Sequence, residues 1–468
     1  MSSTHIAWLR NDLRLSDNPA LMAAMDGAAR VIALYIEEDN IGLRPPGAAA
    51  RWWLHQSLGV LETDLAALGV ELQVRRGVPG VIMAELVQEE SVDAVFWNRR
   101  YAPGERAVDA AIKNWLMARG TKVESFAANV LIEPWEIATG QGKPYSVFTP
   151  FWKVLKQQPL AAPLGRPAAR KPRKPVAVDT DYQEPGWAEK LGGHWYVGEA
   201  AAQRMLADFL DHRVSAYPEL RDIPDSDATS GLSPHLRFGE ISPRQIWQAA
   251  MLAAERVPEQ AGAIDKFLSE LAWRDFSYHQ LYHRCDIARE PMQAKYMGMA
   301  WRDAPNELAA WQRGQTGLPI IDAGMRELWE SGYMHNRVRM LVASLLSKNL
   351  LIDWRLGEQW FWDCLVDSDV ASNPASWQWV AGSGLDAAPY FRIFNPVTQG
   401  ERFDPEGGYV RRYVPELAAM PDAWLHKPWE APASILRQAD VVIGKTYPAP
   451  IVDLKASRER ALAASAGL

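Results

Sequence analysis

The chain has 468 residues, of which 48% are hydrophobic and 23% charged, with a formal net charge of −7 at pH 7. A chain this long exceeds the size at which one core usually stops growing, and its composition excludes a disordered or fibrous protein, so two folded domains are expected. The acidic balance excludes a coat of positive charge, although a local basic surface can still bind nucleic acid.

Only Cys285 and Cys364 are present, too few for a disulfide framework or a CxxC metal site, which points to a reducing compartment. The N-terminal MSSTHIAWLRNDLRL lacks an apolar signal core. No apolar run approaches the roughly 20 residues that span a bilayer, so the expected location is the cytoplasm, with no membrane partner. The 21 tryptophans are the one compositional oddity. Most belong in a core, but the excess leaves room for stacking or electron transfer.

In chain order, the first 130 residues alternate strand-like and helix-like runs. HIAWL (5–9), VIALYI (31–36), ELQVRR (71–76), AVFWN (94–98) and KVESF (122–126) read as strands. Between them lie amphipathic stretches at 51–68, 81–90 and 105–119. That alternation implies a doubly wound parallel α/β sheet. Neither GxGxxG nor a Walker loop follows the first strand, which argues against a dinucleotide site there and for a scaffold or accessory binding domain. A Pro-, Ala- and base-rich connection follows at 159–185 and cannot be one helix. From about residue 199 the pattern changes to long helices without a fixed repeat. The expected organisation is an α/β domain over 1–130, a linker over 131–198 and an all-α domain over 199–468.

Five clusters in the helical half bear chemistry. ELAWRDF places Glu270, Trp273 and Arg274 on one helix face; the plainer reading is an amphipathic helix with a Glu270–Arg274 pair. YMHNRVRM has Arg337 and Arg339 with no acid nearby in sequence. Two apart on a helix, they diverge, so one suits a phosphate and the other a buried carboxylate, unless both belong to a solvated face. DSDVASN offers Asp367, Asp369 and Asn373, but lacks the glycine and terminal glutamate of a calcium loop, so no metal is assigned. DATSGLS sets the Thr229, Ser230 and Ser233 hydroxyls around a glycine, a turn that can hold phosphate. Finally, SNPASWQWVAGSGLDAAPYFRIFNP (372–396) holds Trp377 and Trp379 two apart, then Tyr390, Phe391 and Arg392. Residues two apart point to opposite faces of a strand, or about 200° apart on a helix, so the two indoles must serve two environments.

Together these motifs, with WLRNDLRLSDNPAL, KPYSVFTPFWK, ATSGLSPHLRFGEIS, GLPIIDAGMREL and YPAPIVD, resemble the photolyase/cryptochrome family, and most closely the bacterial class I cyclobutane pyrimidine dimer photolyases. The resemblance covers nearly the whole chain. It implies an N-terminal α/β antenna domain and a large all-α C-terminal domain that binds FAD, active as FADH⁻. It implies FAD contacts from Tyr217, Thr229, Ser230, Leu232, Ser233, Phe267, Arg274, Asp367, Asp369 and Asn373, with Arg339 pairing with Asp367 and Asn373 facing flavin N5. Phe267 stands where relatives can have tryptophan. Glu270, Trp273, Asn336, Met340 and Trp379 are implied to receive a flipped dimer, and Arg221, Arg337, Arg392 and Gln399 to touch DNA. Trp377, Trp354 and Trp301 match a tryptophan chain that photoreduces FAD. The implied partner is DNA containing cyclobutane pyrimidine dimers, bound by a monomer that is nucleoid-associated in a bacterial cytoplasm.

An antenna of 5,10-methenyltetrahydrofolate is expected at Glu105, with a deazaflavin or no antenna as alternatives. YAPGERA has Gly104 where a folate-binding relative has asparagine. Two rival functions resemble the chain less. A (6-4) photolyase uses a histidine-containing pocket where Asn336 and Met340 stand, and often glutamine in place of Glu270. A cryptochrome is expected to extend well past YPAPIVD or to have a degraded repair pocket.

Overall fold

A computed structural model of the chain describes residues 3–40, 42–284, 286–386 and 392–467. Cys285, Tyr390 and Phe391, singled out above, lie outside the described residues. The first part alternates in the order β1 (Thr4–Leu9), α1 (Pro19–Met25), β2 (Arg30–Glu38), α2 (Ala48–Ala67), β3 (Glu71–Gly77), α3 (Pro79–Glu89), β4 (Val92–Asn98), α4 (Pro103–Met117) and β5 (Lys122–Phe126). The five strands read from sequence form one parallel sheet, ordered β3-β2-β1-β4-β5. Helix α1 was not expected, because two turns give too few repeats to show a period. Its start is set locally: the Asn18 side chain accepts from Leu21 N and Pro19 opens the helix. Ile6, Trp8, Ile32, Leu34, Val95 and Trp97 bury one sheet face against Ile82, Met83 and Leu86 of α3. The near-continuous apolar runs of these strands follow, since a parallel sheet is covered on both faces.

The chain divides into two compact units, residues 1–215 with 230–285 and residues 216–229 with 286–468. The stretch expected as a linker, 131–198, lies in the first unit and carries the helix Phe148–Leu155. It is tied down along α2: Arg170 N donates to Leu68 O at 3.1 Å, and the Arg173 guanidinium forks onto Glu62 at 2.7 and 2.6 Å. The helices Glu199–Asp208, Pro243–Arg256 and Ala261–His283 also group with the sheet.

The second unit is helical. Its core gathers Trp311, Leu328, Val338, Leu346, Trp354, Phe361 and Trp377. The helix Asn336–Ser344 widens at its end into a π-turn, Leu345–Asn349, closed by Leu350 N donating to Leu345 O at 2.9 Å. Among the described residues no helix is long and apolar enough to cross a membrane.

Candidate functional site

In the second unit the two arginines of YMHNRVRM separate as their spacing required. Both lie on the helix Asn336–Ser344. Arg339 makes a two-point pair with Asp367, Nη1 to Oδ1 at 3.1 Å and Nη2 to Oδ2 at 2.8 Å, and its Nε donates to Met334 O. Burial works against the guanidinium charge and Asp367 more than offsets it, so the Arg339 pKa lies above its ordinary value. Arg337 instead meets Asp222 at 2.6 Å, with its guanidinium 4.4 Å from the centre of the Phe403 ring. The acids that sequence proximity failed to supply therefore arrive from 115 and 28 positions away.

The DSDVASN segment shapes the start of the helix Ser372–Ala381. Asp369 Oδ1 accepts from Ala371 N and Ser372 N at 2.9 and 2.7 Å, a side-chain turn that leads into the helix. Asn373 Nδ2 donates to Glu358 Oε1 at 2.8 Å and to Glu358 O at 3.1 Å. With its donors engaged, the amide keeps its carbonyl oxygen as an acceptor. Glu358 is a partner the sequence reading missed. Tyr217 is buried, while Thr229 is half-buried.

Trp377 and Trp379 share that helix. Trp377 is 2% exposed and lies edge-on to Phe361 and Trp311, ring centres 5.0 and 6.2 Å apart. Trp379 is half-buried at the margin of the same core. Gly357 makes room for Trp377: a Cβ there would stand 2.2 Å from its Cη2. Trp354 is buried in this core and Trp301 lies half-buried against it. The Trp301 segment is pinned by the next residue, because Arg302 N donates to Leu351 O and Arg302 Nη1 to Leu350 O, both just before Trp354. Of the three tryptophans, Trp377 and Trp354 are buried in this core and Trp301 is half-buried against it.

Asn336, exposed, and Met340, half-buried, stand one turn apart on the Arg339 helix. Arg221 lies over Tyr217, its guanidinium 5.3 Å from the ring centre, and 3.9 Å from Asp222. Arg392 is exposed, and Gln399 sits half-buried in the helix Pro396–Phe403.

In the first unit the helix Ala261–His283 carries Phe267, Glu270, Trp273 and Arg274. Glu270 pairs with Lys266 at 2.8 Å, and Arg274 reaches Asn129 O and covers the Tyr278 ring at 4.7 Å. Trp273 stacks face to face on Phe148, ring centres 3.9 Å apart and planes 10° apart. Phe267 is buried against Phe209. Nearby in sequence, Ser230 Oγ accepts from Leu232 N at 3.4 Å, Leu232 is buried, and Ser233, exposed, opens a six-residue helix.

The expected antenna residue Glu105 stands at the third position of α4 and accepts from Ala102 N at 3.3 Å. Burial raises its carboxyl pKa. A side chain at Gly104 would meet Gly42 O at 2.8 Å, so an asparagine there would force the backbone apart. Beside Glu105 the structure opens a different cleft of about 250 Å³, walled by Trp97, Trp135 and Tyr282 and edged by Arg99, Arg100, Arg106 and Lys113. Arg106 lies 4.1 Å over Tyr282, whose ring centre is 5.1 Å from that of Trp135. Sequence reading missed this cleft, because its walls come from three separated segments.

Residues 5–170 match the family described as DNA photolyase, and residues 267–466 match the FAD binding domain of DNA photolyase. A deoxyribodipyrimidine photo-lyase of Agrobacterium fabrum is 47% identical, covering 99% of this chain and 98% of its own, and that of Escherichia coli is 39% identical over 99% and 98%. The crystal structure of a bacterial class III photolyase from Agrobacterium tumefaciens superposes with a TM-score of 0.95 at 46% identity, covering 100% of this chain and 98% of that one. The expectation of class I is corrected by this likeness to class III: the motifs behind it are common to the family and do not separate its classes. With both halves matched and relatives aligned end to end, the chain belongs to the photolyase/cryptochrome family.

Proposed function

We propose that this protein is a light-driven lyase that repairs cyclobutane pyrimidine dimers in DNA. The observation that supports it best is the part-buried two-point Arg339–Asp367 pair, whose aspartate lies six residues before an asparagine with its amide donors already engaged, in a chain 47% identical to a photo-lyase. The residues fit FAD. The Asn373 oxygen offers an acceptor to an N5–H, which only a reduced flavin has, and the Arg339 charge favours an anionic ring. Reduced FAD, when bound and excited by light, supplies the electron that opens the cyclobutane ring.

The chain's own residues bind and orient. A dimer is poorly stacked, so extruding it from the duplex requires less free energy than extruding an intact base pair. Trp273 in the first unit and Trp379 in the second each offer an aromatic face for stacking on a base, worth roughly 1–3 kcal/mol. Phe148 fixes the Trp273 plane in advance. Glu270 would leave Lys266 to bond the dimer, where charge develops. Asn336 and Met340 would complete the contact from one face of their helix. Arg221 and Arg337 are held by Asp222 and would meet phosphates as a preset group, with Arg392 and Gln399 beyond them.

For the antenna we assign methenyltetrahydrofolate to the Trp97–Trp135–Tyr282 cleft rather than to Glu105. Flat aromatic walls suit a pterin and the arginines suit a carboxylate tail. A deazaflavin ranks behind it, because ion-paired side chains stand beyond the strand ends of β1 and β4, where such sheets bind ligands. Arg10 meets Asp109 at 3.0 Å, Arg100 meets Asp109 and Glu38 at 2.6 and 2.8 Å, and Asn98 bonds Asp12.

The test uses purified protein, reduced beforehand, with an ultraviolet-irradiated thymidine oligonucleotide under blue light and in darkness. Light-dependent loss of cyclobutane dimers is expected. No loss, or loss confined to (6-4) products, overturns the reading.

A further inference from the structure

Lys348 sits in the π-turn Leu345–Asn349 and is 2% exposed. Its Nζ donates to the backbone carbonyl of Arg392. Four residues earlier, Ser344 Oγ accepts from Phe394 N at 3.2 Å. Phe394 is buried in the core that holds Trp377, and the Arg392 guanidinium lies 4.9 Å from its ring centre. Segment 392–394 is thus fastened at both ends to the continuation of the helix that carries Asn336, Arg337 and Met340. Immediately after it, Asn395 caps the Gln399 helix.

A buried lysine needs a reason. Desolvation, with the Arg392 charge added, holds its pKa down to about 7. An apolar side chain of equal length would fill the same space without that penalty. What it could not do is hold a carbonyl.

We propose that Lys348 is a positioning residue for DNA binding: it clamps the Arg392 backbone and so aims the Arg392 side chain at a DNA phosphate. This deepens the reading above, since it rests on Arg392 as a phosphate contact. Arg392 is exposed and lies outside any helix or strand, so an unclamped guanidinium would have to be ordered at the moment of binding. The clamp orders it beforehand.

The test is a double-mutant cycle on the whole protein, with Lys348→Met and Arg392→Ala alone and together. Dissociation constants are measured for dimer-containing and undamaged duplexes at several salt concentrations. Each single variant should weaken both duplexes, Lys348→Met by roughly two- to tenfold, the range for freeing one long side chain. In the Arg392→Ala background, Lys348→Met should add nothing. Additive losses would make Lys348 a packing residue and overturn the proposal. If Arg392→Ala alone leaves binding intact, the phosphate contact itself is wrong and the proposal falls with it. Should Lys348→Met fail to fold, Ser344→Ala loosens the other fastening and must show the same non-additivity; additive losses there overturn the clamp equally.

Discussion

At the residue scale the paired tryptophans separate cleanly by burial, and that separation is testable. Trp377 is sealed in an aromatic cluster, while Trp379 reaches the edge of the core. Trp377→Phe should therefore slow photoreduction of oxidised FAD severalfold or more, because the easily oxidised indole is gone while an aromatic of similar shape remains. The same variant, reduced chemically beforehand, should repair dimers normally. Trp379→Phe should show the reverse, with photoreduction intact and dimer affinity reduced by up to roughly 1–3 kcal/mol of stacking. Measuring both activities on both variants decides it, and loss of the same activity in both would refute the division. The sequence alone placed these indoles in two environments, because helical spacing is local. It could not name Phe361 and Trp311 as neighbours of Trp377, which only tertiary packing brings in.

At the element scale, two helices are placed by a missing side chain and one cleft by three converging segments. Gly357 lies mid-helix in Trp354–Cys364, where alanine would ordinarily favour the helix by about 0.5–1 kcal/mol. The added Cβ would stand 2.2 Å from Trp377 and 2.6 Å from Leu346, and such overpacking costs about 1–3 kcal/mol. Overpacking wins, so Gly357→Ala should lower the denaturation midpoint and disturb photoreduction together; unchanged stability would show that the helices can part freely. The cleft makes a second prediction. Trp135→Ala should strip a bound folate and abolish its near-UV absorption band, leaving the FAD spectrum and dimer repair by pre-reduced protein unchanged. Retention of the folate band would move the antenna elsewhere. Helix periodicity, visible in the sequence, found most of these elements, but not α1 or the π-turn, which are too short to repeat.

At the scale of the whole molecule, each unit buries an acid whose pKa is raised towards neutrality. Burial pushes Asp275 in the first unit and Glu327 in the second up to about 7. Both pKa values are raised above those of the unfolded chain, near 4, so the stability linked to them is present below about pH 4 and lost as pH rises through 7. Between pH 4 and 7, Glu327→Gln should flatten the dependence of unfolding free energy on pH, read by denaturant titration at several pH values; an unaltered slope would mean Glu327 is ionised when folded. Lys348 has the opposite sign, its contribution growing from pH 7 towards 10. None of this was legible in the sequence, where Asp275 and Glu327 look like ordinary helix acids. What the sequence determined by itself was whatever local order encodes: the five strands from their apolar runs, the helical half from its period, the divergence of Arg337 from Arg339, and family membership from motifs in order. The tertiary structure decided which charges meet beyond the Arg339–Asp367 pair that the resemblance had implied, as in Arg337 with Asp222 and Lys348 with the Arg392 carbonyl, and it alone opened the aromatic cleft beside α4. The reason is physical: backbone conformation follows from neighbours along the chain, whereas desolvation, ion pairing and cavities depend on atoms brought together from tens or hundreds of residues apart.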